Sequence, residues 1–143
     1  MAIKQLSIFV ENRPGRMAEI TEALAASGID VRALSLADTS DFGLLRLIVT
    51  DPEGAVEALK KSGVMVRLSE VTAIAVSDKP GEFARAVRLL AEARVNIEYL
   101  YAFLSRKDGD AVIIMRVDDP ENAAAVLAKG GVRLLGEDEV YSM

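Results

Sequence analysis

DPEGAVEALKKSGV, Asp51 to Val64, returns later in the chain as DPENAAAVLAKGGV, Asp119 to Val132, with eight of fourteen positions identical. A match that dense marks an internal duplication, and a duplication fixes the architecture before any single element does. A second pair of stretches agrees. Asn12-Arg13-Pro14-Gly15 returns as Asp78-Lys79-Pro80-Gly81, 66 residues on, whereas the first pair is displaced by 68. The two additional residues belong between these anchors, in a turn expected around Arg106 to Asp110. The chain therefore divides into two modules, residues 1–70 and 71–143. A module of about 70 residues is marginally stable alone, so the two are expected to pack together.

Periodicity supplies the order of elements within a module. Leu6, Ile8 and Val10 alternate as a strand with one buried face, and Met17, Ile20 and Leu24 recur at helical spacing up to Gly28. Val31 to Ala37 and Leu44 to Val49 read as two strands joined by the turn DTSDFG. Asp51-Pro52 opens a second helix with Ala55, Val56 and Leu59 inward and Gly63 at its end; Val64 to Leu68 is the last strand. The second module repeats the order through Thr72–Val76, Phe83–Leu90, Ile97–Leu104, Val112–Val117 and Ala123–Leu127, with a short end strand expected near Val140. The order is βαββαβ, twice. Right-handed crossovers then put both helices of a module on one face of a four-stranded antiparallel sheet, an α+β ferredoxin-like arrangement in tandem.

The face without helices is also apolar. Leu44 and Ile48 in one module, Val112 and Ile114 in the other, with Phe9 beside them, leave a stripe where a half-solvated sheet carries polar residues. Such a stripe marks an interface, and sheet packing between modules or between two chains of a homodimer is the expectation.

Composition excludes much chemistry. With no cysteine and no histidine the chain has no disulfide, no thiolate nucleophile, and neither the commonest metal ligand nor the commonest general base. A net charge of −5 argues against a nucleic-acid partner. No apolar run approaches a membrane span, and the first residues carry no signal-peptide pattern, so a cytoplasmic protein is expected. No set of catalytic residues, metal ligands or cofactor-binding motif emerges. Asp108-Gly109-Asp110 reads as a hairpin turn, the acids Asp118-Asp119 and Glu137–Glu139 as solvated or capping groups, and Tyr99, Tyr101 and Phe103 as interface packing.

The repeated corner is what remains. In VENRPGRMAEI, Val10 to Ile20, Pro14 suits the first position of a helix, and Gly15 is the residue to explain. An acid or amide, then Pro-Gly and an apolar residue, then Gly-x-Asn/Asp-apolar one helix later, resembles the ACT domain, a small ferredoxin-like regulatory module of amino-acid-sensing enzymes. The pattern here is Asn12, Pro14, Gly15, Met17, Gly28, Ile29, Asp30 and Val31. The second copy has Asp78, Pro80, Gly81, Phe83, Val95, Asn96 and Ile97, with Arg94 in place of the helix-end glycine.

The resemblance spans the chain, with no catalytic domain attached, and implies a free amino acid bound between modules. The site it implies comprises Asn12, Arg13, Pro14, Gly15, Asp30 and Val31 with Asp78, Lys79, Pro80, Gly81, Asn96 and Ile97. A helix N-terminus suits the carboxylate, and the acids and amides suit the ammonium. Capping alone would explain Asn12 and Asp78 but leaves Pro-Gly unexplained. The reading is a non-catalytic regulatory protein. The alternative is a regulatory subunit of an amino-acid biosynthetic enzyme, since VENRPG and its helix also resemble the small subunit of acetolactate synthase. That family, however, lacks a plain second Pro-Gly corner. An acylphosphatase on the same fold, using Arg13 or Arg16 with Asn12, is a third reading that fold alone does not support.

Overall fold

The computed structural model describes residues 3–38, 41–103 and 109–142. Two compact units emerge, Lys4–Ser69 and Glu70–Met143, the latter also taking Met1–Ile3. Along the chain run β1 (Ile3–Glu11), α1 (Arg16–Ala26), β2 (Val31–Asp38), β3 (Phe42–Val49), α2 (Pro52–Lys61), β4 (Val66–Ser77), α3 (Glu82–Glu92), β5 (Ile97–Ala102), β6 (Asp110–Val117), α4 (Pro120–Lys129), β7 (Arg133–Leu135) and α5 (Glu137–Tyr141).

In the first unit β3 lies between β1 and β2, antiparallel to both, with Ile8 opposite Leu45 and Leu36 opposite Leu45 from the other side. β4 follows β1 in the strand order. In the second unit β4 lies between β6 and β7, and β5 pairs with β6. Each unit is a ferredoxin-like βαββαβ module.

The alternation expected of these strands sorts their faces. Leu6, Ile8, Val10, Leu45, Leu47 and Val49 meet Ile20 and Leu24 of α1 and Ala55 and Leu59 of α2 in one core. Ile74, Met115 and Val117 meet Ala86, Leu90, Ala123 and Leu127 in the other. Each such leucine or isoleucine contributes about 1.5–3 kcal/mol on burial. Ile48, Val112 and Ile114 are buried as well but belong to neither helix-side core. Leu44 is only half-buried, and Phe9, opposite it on the same face, is 65% exposed.

All four long helices end alike. After α1 the Ile29 N–H bonds the Leu24 carbonyl and the Gly28 N–H bonds that of Ala25; Val64 and Gly63, Val95 and Arg94, and Val132 and Gly131 repeat the pattern. This is the Schellman closure, which needs a left-handed residue. Gly28, Gly63 and Gly131 supply it with φ of 71°, 74° and 82°, and Arg94 adopts it with φ 59°.

Three expectations are corrected. Pro14 is not the first helical residue. Helix α1 starts at Arg16, and Gly15, with φ 88° and ψ −14°, is its N-cap. The two final strand and first strand segments, Val64–Leu68 and Thr72–Val76, are one continuous strand, β4, because no Gly or Pro interrupts Val64 to Lys79. The end strand is Arg133–Leu135, while Val140 is a buried residue of α5, whose start is held by the Gly136 N–H on Glu139 at 3.4 Å. Leu104, most of the turn Arg106–Asp110 including Asp108, and Thr39-Ser40 within DTSDFG lie outside the described residues.

Candidate functional site: the Pro-Gly corners

At the end of β1 the chain turns through Arg13-Pro14-Gly15-Arg16. The Arg16 N–H reaches the Arg13 carbonyl at 3.4 Å, and Gly15 sits at φ 88°. Proline followed by a glycine with positive φ is the requirement of a type II turn. Gly81 stands at φ 91° in the equivalent turn, where the Glu82 N–H reaches the Lys79 carbonyl at 3.2 Å. Pro-Gly is therefore explained by the turn, and it no longer argues for a ligand by itself. The N-cap positions of α1 and α3 are Gly15 and Gly81 themselves, which have no side chain to cap with. A Cβ at either glycine would meet nothing within 4 Å, so the space beside both helix starts is open.

The first corner borders a concavity of about 150 Å³, lined by Asn12, Arg13, Gly15 and Met17 with Leu36 and Gly43 among the others. Leu36 and Gly43 come from β2 and β3, brought here because Gly43 lies opposite Val10. A Cβ on Gly43 would meet Leu36 Cδ1 at 2.8 Å, so glycine there leaves room for the leucine. The sequence reading missed both residues; the β1–β3 register is the signal that locates them.

It also missed a closed ring of charge. Arg13 contacts Glu11 at 3.3 Å and Glu19 at 3.4 Å, and Arg16 contacts Glu19 at 2.8 Å and Glu11 at 3.7 Å. The Glu11 hydrogen bond, then Glu19, raises the Arg13 pKa above its ordinary value, and the Arg16 hydrogen bond lowers that of Glu19. Arg13 thus stands between two carboxylates of its own module. In the second corner the charges are exchanged, with Glu82 and Arg85 3.6 Å apart, and Lys79 has no ion-pair partner among the described residues.

The other sequence-predicted residues lie elsewhere in each module. Asp30 and Val31 sit at the start of β2, beside Val49, the far end of β3 from Phe42, which faces Glu11. Seven residue steps along β3 separate the two ends, roughly 23 Å at about 3.3 Å each. The Asp30 backbone is clasped to Thr50, whose N–H bonds its carbonyl at 3.0 Å and whose Oγ1 accepts its N–H at 3.1 Å. Asn96 is clasped the same way to Asp118, at 3.1 and 2.9 Å, with Ile97 next, opposite Val117. A register shift follows in both modules, between Val31 and Ala33 and between Ile97 and Tyr99. A bulge there re-aims one side chain, and such bulges recur at sites. One module alone does not bring its corner and its β2 start together.

The helix-capping reading of Asp119 holds: its Oδ1 accepts the Asn122 N–H at 3.2 Å. Tyr99 and Tyr101 stack with centroids 6.5 Å apart. Among the described residues no group of three or more acidic side chains is placed to hold a metal ion, and no helix is long and apolar enough to cross a membrane.

Two βαββαβ modules with matching type II corners, left-handed glycines at the helix starts and clasped second strands define a tandem of small ferredoxin-like domains. The comparisons give the family. The ACT domain pair model matches residues 1–143, and the chain belongs to that family. It is similar to the crystal structure of protein BT0572 from Bacteroides thetaiotaomicron, at 37% identity and TM-score 0.94, covering 100% of this chain and 98% of that one. It shares its fold with the regulatory subunit of aspartate kinase from Thermus thermophilus in its ligand-free form, at 20% identity and TM-score 0.65, over 90% and 89% of the two chains. The regulatory subunit of aspartate kinase from Thermus flavus gives 19% identity and TM-score 0.62, over 90% and 92%. No curated protein matches the chain.

Proposed function

We propose that this ACT domain pair is a non-catalytic regulatory protein that binds a free amino acid between ACT modules. The observation that carries the reading is the concavity at the first corner, where the N-terminus of α1, Asn12 and open space at Gly15 adjoin Met17 and Leu36. The N–H groups of the helix start suit the carboxylate and the apolar walls suit a side chain. Because Asp30 and Asn96 lie at the opposite ends of their own sheets, the ammonium partner comes from the β2 start of another module. A thermal-shift screen of the twenty amino acids tests this, since a ligand of the native state raises the melting temperature by mass action. The binder should lose its effect on Met17→Trp, which fills the concavity; no response from any of the twenty overturns the reading.

The protein acts as a homodimer in this proposal, because Phe9, Leu34, Leu36 and Phe42 leave one module with exposed apolar surface. Its partner is an enzyme of amino-acid metabolism, the role in which the Thermus subunits of this fold are described. Sedimentation velocity at monomer mass removes the first claim. Absence of any such enzyme from affinity co-purification removes the second.

A further inference from the structure

The second module holds a larger cavity, about 540 Å³, on the flank of β4 beside α4 and β7. That volume is in the range of small-molecule sites. Val71, Ala73, Leu134 and Leu135 give it apolar walls, with Glu70, Glu121 and Glu139 also in its lining, the last held by Arg133 of β7. Among the described residues no lysine or arginine is in that lining, and neither Glu70 nor Glu121 has an ion-pair partner.

The duplication shows what is unusual here. Through the corner register, Glu70 of the second module corresponds to Lys4 of the first; through the helix register, Glu121 corresponds to Glu53. In the first module Lys4 Nζ donates to Glu53 Oε1, and that hydrogen bond lowers the Glu53 pKa. In the second module the lysine has become a glutamate, so two carboxylates replace an ion pair. The same helix carries Ala124 where the first has Val56, and Pro120 is exposed where Pro52 is buried. A cation has been lost and space has been opened in one place.

We infer that this cavity binds a primary amine with an apolar body and no acid group, its ammonium lying between Glu70 and Glu121 where Lys4 lies against Glu53 in the first module. A free amino acid is excluded by its own carboxylate, which would meet two glutamates. The site is therefore distinct from the corner in both place and ligand class.

Phenethylamine, phenethyl alcohol and phenylalanine share a ring and differ only in charge, and titrating each into the intact protein by NMR tests the inference. The amine should shift the Ala124 methyl resonance saturably, with the alcohol and the amino acid at least about fivefold weaker, the factor that roughly 1 kcal/mol of ion pairing gives. Glu70→Lys, which restores the first module's pair, should abolish amine binding and raise the melting temperature. Glu121→Gln should weaken binding about fivefold without restoring a cation, and it serves if Glu70→Lys does not fold. Equal binding of amine and alcohol, no saturable shift, or unchanged amine affinity in Glu121→Gln overturns the proposal. A corner that still answers to its amino acid in Glu121→Gln keeps the two sites separate.

Discussion

Arg32 Nη1 donates to Asp30 Oδ2 at 2.8 Å, so the acid expected to receive an ammonium already has a cation on one oxygen. Arg32 is the residue at the register shift of β2, and the bulge allows its side chain to turn back along the strand. In the proposed reading the ammonium takes the other Asp30 oxygen, and Arg32 competes for the same charge. Asp30→Ala should therefore weaken amino-acid binding roughly 10- to 100-fold, the range for a hydrogen bond to a charged group of about 1.5–3 kcal/mol. Arg32→Ala should strengthen it. Asn96→Ala should cost less, because an amide offers no charge. Titration calorimetry on the three variants decides it, and an Asp30→Ala protein with parental affinity at every site removes Asp30 from the ligand.

Gly15 and Gly81 should prove to be stability positions first. Nothing lies within 4 Å of a Cβ built at either, so the cost of alanine is the left-handed backbone alone. That cost is about 1–2 kcal/mol for each residue. Urea midpoints of Gly15→Ala and Gly81→Ala should fall accordingly while far-UV CD is unchanged. Gly15→Asn should lose less, since asparagine tolerates this conformation. Equal midpoints for parent and Gly15→Ala would mean the turn is not formed in solution.

How far the sequence could be read depended on the range of the interactions. Alternation along Leu6, Ile8 and Val10 and the helical spacing of Ile20 and Leu24 are local, and both were legible as core. Pro14 and Gly15 misled because the same dipeptide serves a helix start and a type II turn, and only Gly15's φ separates them. Val140 misled because β7 is three residues long, too short for periodicity, and Gly136 restarts a helix at once. Leu36 and Gly43 join the corner through strand register, and the ring of Glu11, Arg13, Arg16 and Glu19 depends on a turn folding back on its helix. Neither is a pattern within one element.

Two carboxylates set an acid limb to the stability curve. Arg16, then Arg13, holds Glu19 below the ordinary 4.5, and Lys4 does the same for Glu53. A depressed folded pKa contributes stability that is fully present above the unfolded value and is lost as pH falls through the folded one. The melting temperature should thus decline on acidification below about 4.5, and Glu19→Gln with Glu53→Gln should decline less steeply over that interval. Both groups are exposed, so the difference is small and should shrink further in high salt. A double variant that tracks the parent through this interval at low salt would show that these pairs do not persist in solution.

The helix ends supply a prediction in the opposite direction. Four Schellman closures share one geometry, and three of them use glycine. Arg94 holds the fourth at φ 59°, paying the left-handed penalty of about 1–2 kcal/mol that glycine avoids. Against this stands the larger conformational freedom that glycine brings to the unfolded chain, worth about 0.4–1 kcal/mol. Arg94 is exposed and makes no ion pair among the described residues, so its side chain offers little in return. Arg94→Gly should stabilise the protein by about 0.8 kcal/mol, the middle of the roughly 0–1.6 kcal/mol left between those two terms. Gly28→Arg, the reverse exchange at the equivalent end of α1, should destabilise it by a similar amount. Chemical denaturation of the two variants gives the pair of values. Opposite signs of similar size support backbone strain as the cause, whereas a loss of stability in Arg94→Gly shows that the arginine side chain holds something the closure alone does not.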